Sequence, residues 1–143
     1  MASQQNRKRV LVLCTGNSAR SQMAEGLLRD LAGDQFEVFS AGTIATFVRP
    51  QAIAVMNEIG IDISGHRSKS ADEFLDDEFD YVITVCDHAN QRCPLFSGPA
   101  KRLHWSIDDP VITGSEHDQL AAFRRARDEL QRRIRKFIQE TNA

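Results

Sequence analysis

Three cysteines, one arginine and a pair of aspartates carry the reactive chemistry of this chain. Cys14 closes an apolar run in "LVLCTGNSARSQMAEG" (11–26), and Arg20 follows it across five small or polar residues, Thr15, Gly16, Asn17, Ser18 and Ala19. A loop running from a strand into a helix turns backbone N–H groups toward its own centre, and the helix N-terminus adds partial positive charge. The small side chains leave that centre open to a tetrahedral anion. Arg20 adds a planar fork that grips two oxygens at once, a geometry lysine lacks. The same field favours the thiolate of Cys14, its nucleophilic form, and Ser21 is placed to donate a hydrogen bond to the sulfur. C-x5-R-S at such a junction predicts an oxyanion held against a thiolate, with residues 15–21 as the anion loop. A cysteine that only packs would not explain the arginine and the small residues together.

Two further thiols, Cys86 and Cys93, lie far downstream. Taken alone, Cys86 reads as packing at the end of an apolar strand. C-x-H-x4-C through His88 is poor zinc spacing with no fourth ligand in view, so no metal site and no cofactor are expected. "DDP" (108–110) offers two carboxyls.

These residues need elements to bring them together. "RVLVLC" (9–14) is dense enough in Val and Leu for a buried parallel strand. Met23, Ala24, Leu27, Leu28 and Leu31 follow at helical spacing, closed by Gly33. "FEVFSAG" (36–42) is a second strand, and "RPQAIAVMNEIGI" (49–61) a second helix with Pro50 in its first turn and Gly60 after its end. "DYVITVC" (80–86) and "KRLHWSI" (101–107) are third and fourth strands, and "SADEFLDDEFD" (70–80) reads as a short helix and exposed loop. Leu120, Phe123, Ala126, Leu130, Ile134 and Phe137 place one apolar face on a long helix over 116–140, whose arginines read as a solvated face.

This alternation predicts an α/β fold, one domain over residues 1–143, with a parallel sheet and helices on both faces. Ligands in open α/β sheets bind beyond the carboxyl ends of the strands. Cys14, Cys86 and the Asp108/Asp109 pair all follow strands, so they should gather at one edge.

With 143 residues, 41% hydrophobic and 27% charged, the chain has the make-up of an ordinary globular domain. A net charge of -2 gives no support for a nucleic-acid surface or a polybasic membrane patch. "VLVLC" is too short for a signal-peptide core or a membrane span, so a cytoplasmic location is expected. Three cysteines without such a signal argue against a disulfide framework and for redox or catalytic work. A monomer is expected at this size.

The segment "CTGNSARSQMAEG" resembles the anion loop of the low-molecular-weight protein tyrosine phosphatase fold, in the version carried by thioredoxin-coupled arsenate reductases. The resemblance continues in order through "VFSAG", "GIDISGH", "VITVCDHANQRCP" and "HWSIDDP", and so covers almost the whole chain. It implies a four-stranded parallel sheet with flanking helices, and a catalytic set of Cys14, Arg20, Cys86, Cys93 and Asp109. By the family mechanism Cys14 attacks arsenate while Asp109, directly before Pro110, acts as the acid. Cys86 then forms a disulfide with Cys14 and arsenite leaves. Cys93 takes over the bridge as Cys86–Cys93, and thioredoxin or a similar thiol reductant reduces it. The alternative is a tyrosine phosphatase that hydrolyses phosphotyrosine through a Cys14 phosphoenzyme, although "PVITGSEHD" (110–118) lacks the adjacent tyrosines often found there in eukaryotic relatives.

Two further expectations depend on the resemblance. A helix over 87–93 would hold Cys86 and Cys93 about 10 Å apart, whereas a disulfide needs Cα atoms within about 7 Å, so residues 87–98 should bend on oxidation. Some relatives bind potassium beside the loop through residues matching Asn17, Glu25 and Ser40 plus an aspartate. Lys69 stands at that aspartate's position, and its ammonium is expected to replace the cation. The family often carries another cysteine inside the loop, where this chain has Ala19. His66, His88, His104 and His117 have no evident catalytic partner, and surface or hydrogen-bonded structural roles are expected for them.

Overall fold

The computed structural model describes residues 7–87, 89, 100–111 and 113–142. Four strands, β1 (Lys8–Cys14), β2 (Phe36–Gly42), β3 (Tyr81–Thr84) and β4 (Lys101–His104), form one parallel sheet in the order β2-β1-β3-β4. Three helices accompany them, α1 (Arg20–Ala32), α2 (Pro50–Asn57) and α3 (Glu116–Thr141), with a 3-10 turn at Ala71–Phe74. The four-stranded parallel sheet with flanking helices is the expected architecture.

β1 lies between β2 and β3, and Val10 to Cys14 are all buried. A strand covered on both faces must be apolar at every position rather than at alternate ones, which explains the unbroken VLVLC run. Phe36 of β2 packs tilted against Phe137 of α3, and Tyr81 of β3 and Trp105 meet the same ring edge-on. Three residues along β2, Phe39 points to the other face and packs with Phe74 and Phe79. The 3-10 turn supplies Phe74 to that aromatic group.

α1 packs on α3, and α2 packs on both. Met23, Leu27 and Leu28 of α1 are fully buried, each contributing roughly 1.5–3 kcal/mol of apolar burial. Gly26 sets the approach, because a Cβ there would lie 2.7 Å from Ile63 Cγ2. Gly33 ends α1 in right-handed backbone, so its role is steric: a Cβ would meet the Arg29 carbonyl at 2.5 Å.

The arginine face of α3 is only partly a solvated one. Arg124 and Arg127 both bind Glu58 at the end of α2, and Arg127 also donates to the Val55 carbonyl at 2.7 Å. The Arg124 and Arg127 guanidiniums hold the Glu58 carboxyl down at about 2. The helix–helix seam therefore has an ionic edge that periodicity alone does not show.

Strand order reverses between β1 and β3. The crevice beyond their carboxyl ends is where an open α/β sheet binds its ligand. Cys14 ends β1 there, and Cys86 follows two residues after β3.

Candidate active site

The loop from Cys14 to Arg20 has its carbonyls turned outward and satisfied. Cys14 O accepts from Thr43 N at 3.1 Å and Thr15 O from Ile44 N at 3.1 Å. Gly16 O accepts from Thr46 Oγ1 and Ser68 Oγ, Asn17 O from Gln22 Nε2, and Ser18 O from Arg49 N at 2.9 Å. Among the described residues no protein acceptor takes the N–H groups of residues 16–19. α1 likewise begins without a side-chain cap and without an acidic residue in its first turn. A helix start so prepared is complementary to an anion.

Two residues allow this turn. Asn17 has φ of 48°, the left-handed conformation that asparagine tolerates. Gly42 passes behind the loop so closely that a Cβ would lie 2.6 Å from Thr15 O and 2.7 Å from Asn17 N. The glycine that ends β2 is thus required by the loop it supports.

Behind the loop a chain of hydrogen bonds fixes the nucleophile. Asn17 Oδ1 accepts from Gln22 Nε2 and Lys69 N, both at 2.8 Å, which sets the orientation of its amide. Its Nδ2 then donates to Ser21 Oγ at 2.7 Å and Ser40 Oγ at 3.0 Å. With that lone pair engaged, the Ser21 hydroxyl proton is directed at Cys14 Sγ, 2.8 Å away. The Ser40 hydroxyl in turn donates to Glu25 Oε1 at 2.5 Å.

Glu25 is buried and faces three cationic or titratable groups. Arg29 lies 2.9 Å from its Oε2, Lys69 Nζ 3.8 Å from its Oε1, and His66 Nε2 3.7 Å from its Oε2. Asn17, Glu25, Ser40 and Lys69, drawn from four separate segments, therefore meet under the loop. Burial pushes the Lys69 ammonium down from its ordinary value, against the opposing pull of Glu25. Burial also pushes His66 down. His66 Nδ1 lies 3.0 Å from Gln22 Oε1, which can only accept, so the neutral ring carries its proton on Nδ1. This structural role matches the expectation for His66.

In front of the loop, Cys14, Arg20, Asp109 and Val111 line a cavity of about 160 Å³ with the loop residues Thr15, Gly16, Ser18 and Ala19. Arg20 reaches it with one arm tied back, donating to the Ile107 carbonyl at 2.9 Å. Asp109 accepts from Val111 N at 3.0 Å. Asp109, rather than Asp108, thus makes the turn bond of "DDP", and that bond sets its place at the cavity.

The second thiol adjoins the anion loop. Cys86 is buried, its Sγ 3.3 Å from Thr15 Oγ1 and 3.3 Å from Ala89 N. Both Cys14 and Cys86 are free thiols. Asp87, the next residue, is clasped by His104 Nε2 at 2.9 Å and Ser106 Oγ at 3.2 Å. The His104 bond, then the Ser106 bond, hold the Asp87 carboxyl below its ordinary value. His104 is steadied on its other side by Thr84 Oγ1 at 2.7 Å. Cys93, His88 and the segment expected to bend lie outside the described residues.

The structure brings together Cys14, residues 15–21, Cys86 and Asp109, as the strand ends require. Three participants were not foreseen. Gln22 braces Asn17, His104 clasps Asp87, and Arg49 lines the cavity. No helical spacing links Gln22 to Asn17, five residues earlier and outside α1. No local pattern marks Arg49, which arrives by a loop folding back.

The sequence pattern of the low molecular weight phosphotyrosine protein phosphatase matches residues 9–143. An arsenate reductase from Halalkalibacterium halodurans is 45% identical over 135 residues, covering 94% of this chain and 97% of that protein. A solved arsenate reductase in a phosphate-binding state superposes with a TM-score of 0.76 at 34% identity, covering 93% of this chain and 98% of the other. A thioredoxin-dependent arsenate reductase from Corynebacterium glutamicum gives a TM-score of 0.72 at 29% identity, covering 96% of this chain and 63% of that one. With cysteine, anion loop and carboxyl at one sheet edge, the chain belongs to the low molecular weight phosphotyrosine protein phosphatase family.

Proposed function

We propose that this enzyme reduces arsenate to arsenite through a relay of Cys14, Cys86 and Cys93, with a thioredoxin-like dithiol restoring the thiols. The observation that carries this reading is the second free thiol beside the anion loop, Cys86 Sγ at 3.3 Å from Thr15 Oγ1. Phosphate-ester hydrolysis needs one cysteine, one arginine and one acid. Reduction of As(V) needs two electrons, and a pair of thiols supplies them.

In the first step the Cys14 thiolate attacks arsenic, and an oxygen leaves as water after Asp109 gives it a proton. The loop N–H groups and Arg20 hold the remaining oxygens. Cys86 then attacks Cys14 Sγ, the sulfur–arsenic electron pair stays on arsenic, and arsenite departs as As(III). The Cys14–Cys86 disulfide passes to Cys86–Cys93 when Cys93 attacks Cys86 and the Cys14 thiolate leaves. An external dithiol reduces that last bridge.

In this reading Lys69 supplies the positive charge for Glu25, so added potassium leaves turnover nearly unchanged. A several-fold activation by potassium would overturn that part. The enzyme acts as a cytoplasmic monomer. Among the described residues no helix is long and apolar enough to cross a membrane. The second reading is hydrolysis of phosphotyrosine through a Cys14 phosphoenzyme, favoured by a loop that suits phosphate and arsenate equally.

The test is arsenate-dependent NADPH oxidation coupled through thioredoxin and its reductase, run on wild type and each cysteine-to-serine variant. Loss of coupled turnover in all three variants is expected. Full turnover by Cys93→Ser would refute the three-thiol relay.

A further inference from the structure

Arg20 is not the only guanidinium at the catalytic cavity. Arg49 lines it too, from the loop between β2 and α2. Three restraints hold it there. Its N–H donates to the Ser18 carbonyl of the anion loop at 2.9 Å, Pro50 follows it as the first residue of α2, and its guanidinium lies over the Phe47 ring, 5.0 Å from the centroid. Phe47 itself is half exposed, and this platform gives an otherwise unexplained surface aromatic a task.

Arg49 lacks what the neighbouring arginines have. Arg29 pairs with Glu25 and Arg67 with Glu73, and both Arg124 and Arg127 pair with Glu58. Among the described residues no carboxylate lies within ion-pair distance of Arg49. Three buried side-chain polar atoms have no hydrogen-bond partner among the described residues. Of these, Arg49 Nε alone belongs to a residue at the catalytic cavity. A preorganised guanidinium with unused donors, beside a loop with unused N–H groups, matches an oxyanion of higher charge than Arg20 alone can balance.

The charge count points the same way. A tetrahedral dianion facing a thiolate brings three negative charges together. One guanidinium and the roughly half charge of a helix N-terminus leave about half of that negative charge unbalanced. We propose that Arg49 is a second oxyanion-binding guanidinium, which holds the dianionic substrate alongside Arg20. This rests on the arsenate reading for the identity of the substrate, but the binding role applies to any tetrahedral dianion. Arg49 neither touches the sulfur bonds nor moves a proton, so it acts on substrate affinity. Reduction turns the bound dianion into a neutral arsenous acid, on which both guanidiniums lose their hold, and product release follows from the same charges that favour entry.

The test measures inorganic phosphate binding by calorimetry, and arsenate kcat and KM, for wild type, Arg49→Ala, Arg49→Gln and Arg49→Lys at fixed ionic strength. Loss of one charge-assisted contact predicts a phosphate Kd weaker by about 10-fold to 100-fold in Arg49→Ala and Arg49→Gln. KM for arsenate should rise by a similar factor with kcat within about threefold, and Arg49→Lys should recover part of the loss. Phosphate affinity within twofold of wild type in Arg49→Gln, with the protein folded by thermal melting, would overturn the proposal. Should wild type show no arsenate turnover while phosphate binding still depends on Arg49, the reductase reading fails and the second guanidinium stands.

Discussion

Cys14 and Cys86 both lie at the carboxyl edge of the sheet, yet they are held in different ways. Cys14 ends a strand buried on both faces, and its sulfur accepts from a hydroxyl fixed by Asn17, which is itself held by Gln22 and Lys69. Every group in that chain is buried or half-buried. Cys86 lies past the end of β3 and has two polar contacts, Thr15 Oγ1 and Ala89 N. The clasp on its neighbour, His104 to Asp87, is at the surface, with Asp87 73% exposed. A nucleophile that must meet arsenic in one geometry benefits from buried wiring. A thiol that must be passed from one disulfide to another is better held by exposed contacts that open cheaply.

Substituting each thiol separates the two regions most strongly. Cys14→Ser should abolish both arsenate reduction and any hydrolysis of an aryl phosphate. Cys86→Ser should abolish arsenate reduction and leave that hydrolysis within about threefold of wild type, because only Cys14 attacks phosphorus. Parallel loss of both activities in Cys86→Ser would place the second thiol inside the anion site and dissolve the distinction.

Breaking the buried wiring is the next largest effect. Asn17→Ala removes two donated and two accepted side-chain hydrogen bonds and places alanine at a positive φ. A loss of about 3 kcal/mol is expected from the unsatisfied buried partners, a fall in Tm on the order of 10 °C for a chain of this size. A thermal melt within about 2 °C of wild type would contradict it.

The surface clasp should matter less and on one side only. His104→Ala is expected to slow arsenate turnover by about threefold, a barrier change of under 1 kcal/mol, with aryl phosphate hydrolysis unchanged. The smallest effect is in acid. His104 and Ser106 lower the Asp87 carboxyl from its ordinary 3.8. A carboxyl depressed in the folded state adds stability above its unfolded value, and the gain is lost as pH falls through the folded one. The stability difference between wild type and Asp87→Asn should therefore be constant near neutral pH and shrink below about 4. NMR titration should show Asp87 moving up toward 3.8 in His104→Ala.

The legible and illegible parts of this molecule divide along the same line. β1, α1 and the anion loop could be read because burial on both faces forces an apolar run, and because C-x5-R-S concentrates its chemistry within eight residues. The convergence of Cys14, Cys86 and Asp109 followed from strand ends alone. Arg49 could not be read, since its place depends on Thr43, Ile44, Thr46 and Arg49 binding the loop through backbone and hydroxyl groups that any sequence could supply. The His104–Asp87 clasp depends on β3 and β4 being neighbours in register, with Thr84 opposite His104. The arginines of α3 read as solvent-facing because Glu58, which binds two of them, belongs to a different helix.

The relay is tested most directly by arresting it after its first bridge. Cys93→Ser is mixed with excess arsenate without a reductant, arsenite is quantified, and the protein is mapped by mass spectrometry. The account predicts one arsenite per enzyme and a Cys14–Cys86 disulfide. Arsenite formed repeatedly, or an enzyme whose Cys14 and Cys86 remain free thiols after arsenite appears, would contradict it.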